Sequence, residues 1–199
     1  MNNQTNSPEK LIVTGGTPLQ GSVRLGGAKN ASYKLMIASL LADSESRLLN
    51  LPDILDVELT AKIIQDLGGE VKKVGPKTLA INPEQLSQCK IPQEYGQKSR
   101  ASTLFIGPLL AKFGQAEVPL PGGDQIGKRP LGRHLEGLEK LGVNWDHHSE
   151  TLYLKSDQLT GANYRFEKNT HTGTETLIMT AVLASGKTVL ENAALEPEI

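Results

Sequence analysis

An internal repeat of about 70 residues constrains the fold of this chain more than any other feature of its sequence. The first copy covers residues 23–82, and the second covers residues 98–155. Both predict an apolar helix, a short strand, a second helix that ends at glycine, and a β-hairpin, in that order. The Leu-Leu-Ala motif at 40–42 recurs at the same point of the second copy, at 109–111. The repeat therefore predicts an α/β fold.

A third copy, residues 164–199, follows the same pattern and then stops. The spacing Thr172-x-x-Glu175 is typical of a capping box, and it predicts a helix that includes residues 182–184 and ends at Gly186. A strand at 188–191 follows, but the second helix and the hairpin do not, so we expect this copy to lack about 35 residues. The expected architecture is a set of β-α-β-α-β-β repeats with apolar helices packed inside sheets.

Composition excludes several classes of function. The formal net charge of −1 and the aromatic content of 4% argue against nucleic-acid binding. No apolar run approaches the roughly 18 residues of a membrane span. Residues 1–9 are polar and predict a disordered tail without a secretory signal. The single cysteine, Cys89, excludes an intramolecular disulfide and fits a cytoplasmic protein.

The sequence also lacks the usual motifs for metals and cofactors. The four histidines do not have the spacing of a zinc site. The glycines near the N-terminus match neither a phosphate-binding loop of the Gly-Lys-Ser/Thr type nor a dinucleotide fingerprint. We therefore expect no metal and no cofactor.

The stretch at 120–130, Leu-Pro-Gly-Gly-Asp-Gln-Ile-Gly-Lys-Arg-Pro, predicts a chemically active loop. Its glycines let a ligand approach the main chain, and Pro121 and Pro130 fix the backbone at both ends. Between them lie an acid, Asp124, and two cations, Lys128 and Arg129. Because an acid can move a proton while cations hold phosphate, the loop points to an anionic substrate.

The first helix of each copy is apolar but begins with polar residues. The three starts are GGAKN at 26–30, KSR at 98–100 and NTHTG at 169–173. Free N–H groups and the helix dipole make such an end a ready anion site. Ordinary capping with solvated charge explains any one of them, whereas all three together with the 120–130 loop favour binding of phosphate or diphosphate. Pseudo-threefold symmetry of the copies would bring these starts to one face.

Six motifs in this sequence closely resemble the UDP-N-acetylglucosamine 1-carboxyvinyltransferase family of enolpyruvyl transferases. They are GGAKNA at 26–31, RAS at 100–102, GPLLA at 107–111, LPGG at 120–123, IGKRP at 126–130 and NAALEPEI at 192–199. The similarity covers nearly all of residues 10–199. The sibling 5-enolpyruvylshikimate-3-phosphate synthases share the fold but carry a different first lysine loop.

The resemblance implies an inside-out α/β barrel, in which two similar domains each hold three repeats around buried helices. Chains of that family are roughly twice as long as this one. Residues 10–22 would then form a strand of the other, mostly absent domain, and residues 23–199 would form the substrate and catalytic-loop domain. The C-terminal half of the family enzyme would be needed to complete the site, because it supplies an aspartate base and an arginine.

By the same resemblance, the reaction transfers the enolpyruvyl group of phosphoenolpyruvate to the 3′-hydroxyl of UDP-N-acetylglucosamine. Phosphate is released, and the product is the first committed intermediate of peptidoglycan synthesis. Cations would stabilise the charge that shifts onto phosphate in the transition state. The implied catalytic residues are Asp124, Lys29 and Arg129. The implied substrate-binding residues are Lys29, Asn30, Arg100, Arg129, Pro130, Leu131, Gly132, Arg133, Asn169, Thr170, His171, Thr172 and Gly173.

Two positions depart from the usual pattern of the family. Asp124 stands where most members carry the cysteine that fosfomycin alkylates, so we expect no alkylation here. A protonated Asp124 could act as the general acid, although neighbouring cations oppose its protonation, and the proton could arrive with the anionic substrate. His171 lies in Thr-His-Thr-Gly-Thr, which replaces the more usual Ser-Val-Gly-Ala-Thr. It either adds a donor to the diphosphate or is simple variation.

Three functions remain open at this point. The first is the transferase itself, for which we expect little or no turnover from these 199 residues alone. The second is a non-catalytic fragment that keeps partial affinity for the nucleotide sugar. The third is a repeat-built scaffold without a ligand. Phosphate release and calorimetric titration with the nucleotide sugar distinguish them.

Overall fold

The computed structural model describes residues 10–98, 100–120 and 131–199, with backbone alone at 97, 98 and 100. Its helices are α1 (Lys29–Ala38), α2 (Leu55–Asp66), α3 (Gln93–Lys98), α4 (Ile106–Phe113), α5 (Gly132–Lys140) and α6 (His171–Ala181). Its strands are β1 (Ser46–Leu48), β2 (Glu70–Gly75), β3 (Thr78–Asn82), β4 (Gln115–Pro119), β5 (Asn144–His148), β6 (Thr151–Lys155), β7 (Asn163–Arg165) and β8 (Val189–Glu191). Short 3-10 helices, Ser39–Leu41 and Arg100–Phe105, follow α1 and precede α4.

Two of the three repeats have the same topology, which confirms their prediction. The first unit, residues 29–82, forms the sheet β1-β3-β2, and the second, residues 89–155, forms the sheet β4-β6-β5. In both sheets the opening strand pairs antiparallel with the last strand of the hairpin. The last strand of each hairpin therefore lies in the middle of its sheet, between the first strand of the hairpin and the strand that precedes the second helix of the unit.

Parallel pairing opens the second and third units. Residues 89–91 run parallel to β4, with Ile91 N–H donating to the Glu117 carbonyl at 2.9 Å. In the third unit, residues 163–191, β7 pairs parallel with β8, and Asn163 lies opposite Val189. A helix connects the two parallel strands in each case, as parallel pairing requires. These units consequently show the β-α-β order that the repeat predicts.

Two predicted glycine stops end their helices in the left-handed region. Gly68 after α2 has φ of +95°, and Gly142 after α5 has φ of +88°. The Gly69 N–H returns to the Ile64 carbonyl at 2.9 Å and so satisfies an end group of α2. Both hairpins start directly beyond these stops, because the left-handed turn redirects the chain toward the sheet.

The centre of the molecule is α6, on which α4 and α5 pack, while α1 packs on α2 and on the 3-10 helix before α4. A Cβ placed on Gly107 of α4 would lie 2.8 Å from Cβ of Met179 in α6. A Cβ on Gly137 of α5 would collide with Leu177 of α6. Glycine at these two positions lets both helices approach α6 closely. The largest fully buried side chains include Met36, Leu40, Ile63, Phe105, Ile106 and Phe166.

Three details differ from the sequence predictions. The first helix of the second copy, predicted to start at 98–100, is a 3-10 helix over Arg100–Phe105 and becomes an α-helix only at Ile106. The helix of the third unit ends at Ala181 and does not continue through residues 182–184. The backbone leaves the helix there because Ser185 N–H donates to the Leu159 carbonyl at 2.9 Å, and Gly161 N–H donates to the Ser185 carbonyl at 2.7 Å. A tertiary β-bridge thus outweighs the helix propensity of this segment. The six-residue helix α3 was not predicted.

The structure supports a mixed α/β fold in which helices are buried against small sheets. Within residues 10–98, 100–120 and 131–199, the sheets stay separate and close no barrel. Residues 10–25 are exposed and form neither helix nor strand, so the pairing of 10–22 with another domain stays a prediction. The predicted tail, 1–9, lies outside the described residues. In the same described ranges, every helix falls short of the length and apolarity that a membrane crossing needs.

The close approach of α4 and α6 gives a test of the core. Gly107→Ala is expected to lower the free energy of unfolding by about 1–3 kcal/mol, because the added methyl overpacks the contact with Met179. The matched control is Gly132→Ala in α5, where an added Cβ meets nothing within 4 Å. That control should not destabilise, because alanine is the better helix former. Urea unfolding of both variants measures the difference, and equal midpoints would contradict the packing argument.

Candidate functional site

The start of α1 presents a lysine to solvent. Lys29 is the first residue of the helix, and the N-cap residue Ala28 offers no side-chain cap. Lys29 Nζ lies 3.0 Å from Asp56 Oδ2 in the first turn of α2, and 58% of the Lys29 side chain is exposed. Its ammonium group can therefore exchange a surface partner for an anion beside the free N–H groups of α1.

The start of α6 is capped differently from the prediction. Thr170 has extended backbone angles, and its hydroxyl accepts from the Gly173 N–H at 3.4 Å. The predicted capping box between Thr172 and Glu175 is wrong, because both residues lie inside the helix and their side chains contact other elements. The Thr174 hydroxyl donates to the Thr170 carbonyl at 2.8 Å and accepts from the Ala194 N–H at 3.0 Å. The residues after β8 are thereby tied to the first turn of α6.

Helices α5 and α6 meet at their starts. His134 Nε2 lies 3.0 Å from the Thr172 hydroxyl, and the Tyr164 hydroxyl donates to the Arg133 carbonyl at 3.2 Å. The Arg133 Nε is shielded from water and has no hydrogen-bond partner in the described part of the chain. Burial raises the pKa of Tyr164 to about 12, and its hydrogen bond to Glu136 adds to the effect. Two segments that the resemblance assigns to substrate binding, 131–133 and 169–173, are therefore adjacent.

A buried ion pair joins α1 to α6. The Lys34 ammonium contacts the Glu175 carboxylate, and the two side chains are only 6% and 5% exposed. Burial raises the pKa of the Glu175 carboxyl, while the nearby Lys34 and His171 oppose that shift. Removing two charges from water is costly, so this pair depends on each partner remaining in place.

His171 lies over that ion pair and faces an acidic segment, residues 196–198. Its Nδ1 is 3.1 Å from Lys34 Nζ and 3.2 Å from Glu175 Oε1. Its Nε2 is 3.5 Å from Glu198 Oε1 and 3.8 Å from Glu196 Oε2. The imidazole therefore connects the buried ion pair with the acidic segment at the surface.

The start of α1 reaches the same segment through Asn30, whose side chain lies close enough to the Glu198 carboxylate to lower its pKa. The backbone N–H of Glu198 lowers the pKa of its own carboxyl, and Lys34, His171 and Asn30 lower it further. Tyr33 lies in the same environment, where burial, followed by the charges of Glu175 and Asp56, raises its pKa to about 12. The structure thus gathers the starts of α1 and α6 around an anionic carboxylate.

The other predicted residues are distributed as follows. Leu131 is half-buried and is the N-cap residue of α5, and Gly132 begins that helix. Asn169 Nδ2 donates to the Ala193 carbonyl at 2.9 Å. Arg100 begins the 3-10 helix before α4, with its backbone alone described. Asp124, Arg129 and Pro130 lie outside the described residues. Across the described ranges, no cluster of three or more His, Cys, Asp or Glu side chains could hold a metal ion.

Sequence reasoning missed the ion pair at the centre of this site. Lys34 is the one lysine inside the apolar stretch 31–42, and Glu175 is the one acid inside the apolar stretch 172–184. Opposite charges on the first helices of two related repeats were a usable signal. Since these helices are expected to pack inside sheets, a lone charge on each indicates an internal partner.

The ion pair can be tested by comparing the removal of one charge with the removal of both. Lys34→Met alone is expected to lower the free energy of unfolding by about 3–5 kcal/mol, because it leaves the Glu175 charge buried without its main partner. Lys34→Met combined with Glu175→Met should recover most of that loss, because an apolar pair needs no compensation. Urea unfolding of the two variants measures the effect. Additive losses in the double variant would contradict a direct coupling.

Known proteins resemble this chain in sequence over nearly its whole length. A family model described as EPSP synthase (3-phosphoshikimate 1-carboxyvinyltransferase) matches residues 13–199. UDP-N-acetylglucosamine 1-carboxyvinyltransferase of Pseudoalteromonas atlantica is 43% identical over 192 residues, which cover 96% of this chain and 46% of that protein. The protein of the same name from Idiomarina loihiensis is 44% identical over 194 residues, again 96% and 46% of the two chains. This chain thus spans a little under half the length of these relatives.

Solved structures show the same fold. The enolpyruvyl transferase NikO from Streptomyces tendae superposes with a TM-score of 0.78 and 19% identity, over 92% of this chain and 43% of that chain. EPSP synthase from Acinetobacter baumannii superposes with a TM-score of 0.69 and 17% identity, over 89% and 42% of the two chains. The match of the family model over nearly the whole sequence, supported by these folds, shows that the chain belongs to the EPSP synthase family.

Proposed function

We propose that this chain forms the substrate-binding and catalytic-loop part of a UDP-N-acetylglucosamine 1-carboxyvinyltransferase. The reaction would move the enolpyruvyl group of phosphoenolpyruvate to the 3′-hydroxyl of the sugar and release phosphate, in the cytoplasm, for peptidoglycan synthesis. The observation that carries the proposal is the meeting of the α1, α5 and α6 starts around Glu198, His171 and Thr172. The names of the relatives at 43% and 44% identity, which give UDP-N-acetylglucosamine and a carboxyvinyl transfer, support this choice of reaction.

Under this proposal, the start of α1 binds phosphoenolpyruvate. Lys29 is exposed at the helix end and has only the surface carboxylate of Asp56 as a partner. A phosphate would gain both the ammonium group and the helix N-terminus, so it competes well with a half-exposed carboxylate. Arg100 and Arg129 would add charge that stabilises the phosphate as it leaves.

The starts of α5 and α6 would hold the diphosphate of the nucleotide sugar. Arg133 keeps a shielded Nε without a hydrogen-bond partner in the described ranges, and the first turn of α6 contributes N–H groups. We assign residues 129–133 and 169–173, which the resemblance gives as substrate-binding, to the nucleotide sugar. Asn30 would contact the sugar from the start of α1.

The proton chemistry of the proposal rests on the 120–130 loop. Asp124 would protonate C3 of phosphoenolpyruvate while the sugar hydroxyl loses its proton to a base and attacks C2. The tetrahedral ketal would then expel phosphate as C3 loses a proton, which restores the carbon–carbon double bond. A second half, which the relatives' greater length allows for, would supply the aspartate base and a further arginine. Without it, we expect these 199 residues to show little turnover. The competing proposal is a non-catalytic fragment that keeps only partial binding of the nucleotide sugar.

Binding can be measured on the chain as it stands. Calorimetric titration with UDP-N-acetylglucosamine should give a saturable signal that Arg133→Ala weakens at least about tenfold, through the loss of a charge-assisted contact to the diphosphate. Lys140→Ala, an exposed lysine at the opposite end of α5, is the matched control and should bind normally. Absence of any heat of binding would favour a scaffold without a ligand.

Turnover tests the role of Asp124. In the protein that carries this chain in its full reading frame, Asp124→Asn should reduce phosphate release by about two orders of magnitude, because the amide cannot donate the proton. Asp157→Asn, a change at an almost fully exposed carboxylate after β6, is the control. Unchanged turnover in Asp124→Asn would refute the assignment, and rapid phosphate release by the 199 residues alone would refute the need for a second half.

A further inference from the structure

The buried Lys34–Glu175 ion pair contacts none of the segments assigned to substrates except at His171. Its position beneath that residue suggests a role beyond packing, because an apolar pair would fill the same space at lower desolvation cost. What the charges add is orientation: an ammonium group and a carboxylate at fixed positions determine how the imidazole above them carries its hydrogen.

The geometry selects one tautomer of neutral His171. The Lys34 ammonium has only donors, so its 3.1 Å contact with Nδ1 is a hydrogen bond only when Nδ1 is the acceptor. With a hydrogen on Nδ1, the ring could donate to Glu175 Oε1 at 3.2 Å. The ammonium group also lies against Nδ1, however, and it has no acceptor for that hydrogen. The neutral ring therefore carries its hydrogen on Nε2, which faces Glu198 and Glu196.

The outward Nε2 lies at the start of α6, where the proposed site binds an anion. It now faces carboxylates of the acidic segment, and Asn30 lies near the same Glu198. A carboxylate and a diphosphate oxygen make the same demand on a donor, so both cannot occupy it together. The acidic segment thus lies where an anionic ligand would compete with it.

We propose that Lys34 and Glu175 are positioning residues that hold His171 as an outward Nε2–H donor, and that this donor alternates between the acidic segment and the diphosphate of the ligand. The inference rests on the proposed function for the identity of that ligand. It assigns the acidic segment as an internal competitor that must leave His171 before the nucleotide binds. Apparent affinity is then reduced by the fraction of molecules in which the segment is docked.

The first arm of the test needs no ligand. Histidine labelled with nitrogen-15 is observed by NMR at increasing pH until the ring signals stop changing, and the final signals report which nitrogen of the neutral ring carries hydrogen. The signal is assigned through its loss in His171→Gln. The unmodified chain should show the Nε2–H form, whereas Lys34→Met/Glu175→Met should show the mixture of tautomers typical of a free imidazole. Identical spectra in the two proteins would overturn the positioning role.

The second arm uses UDP as the probe. Glu196→Gln/Glu198→Gln should bind UDP at least about threefold more tightly than the unmodified chain, because the internal competitor is neutralised. The exposed pair Glu70→Gln/Glu84→Gln removes the same charge elsewhere and should leave the affinity unchanged. Adding His171→Val should abolish the gain.

The two arms separate the inference from the proposed function. Tighter binding that persists with His171→Val, or no tighter binding at all, would overturn the competition. If no variant binds UDP, the proposed function and the competition both fail, and the tautomer measurement still decides whether the ion pair positions His171.

Discussion

The close approach of α4 and α5 to α6 is the constraint on which the rest of this structure depends. Gly107 and Gly137 remove the side chains that would hold α4 and α5 away from α6, and α1 is bound to α6 through Lys34 and Glu175. Since packed interiors tolerate little change in volume, these contacts fix the relative positions of the helix starts. The polar residues at those starts converge because the apolar residues behind them cannot separate.

The site combines an apolar interior with charges that are paired at different depths. Lys29 and Asp56 pair at the surface, where the interaction is weak and exchangeable. Lys34 and Glu175 pair in the interior, where the interaction is rigid. His171 connects the two environments. An anion site built in this way can exchange its outer partners while its inner contacts stay fixed.

Much of the architecture could be predicted because the same order of helices and strands is encoded in two copies of the repeat. Helix ends at Gly68 and Gly142 and both hairpins follow from local residue types, and the common strand order of the first two units confirms the periodicity. Local signals failed where distant residues compete for the same groups. Thr172 and Glu175 have capping-box spacing, but His134 and Lys34 hold their side chains, and Thr170 caps the helix. No single-segment pattern contains that information.

The candidate site was predicted less evenly. Asn30 and His171 both lie near the Glu198 carboxylate, and the start of α5 contacts that of α6 through His134 and Thr172. The roles of Asp124, Arg129 and Pro130 stay predictions. Lys34 and Glu198 were missed, because their roles depend on the side chains that they contact in the folded chain, and these are distant in sequence.

The buried ion pair also has an evolutionary consequence. A change at position 34 or 175 alone passes through an intermediate with an uncompensated internal charge, whereas a simultaneous exchange for two apolar residues does not. Single substitutions that lead from the ion pair to an apolar pair therefore pass through a less stable protein. A substitution at one position is therefore expected to be tolerated only together with a compensating substitution at the other.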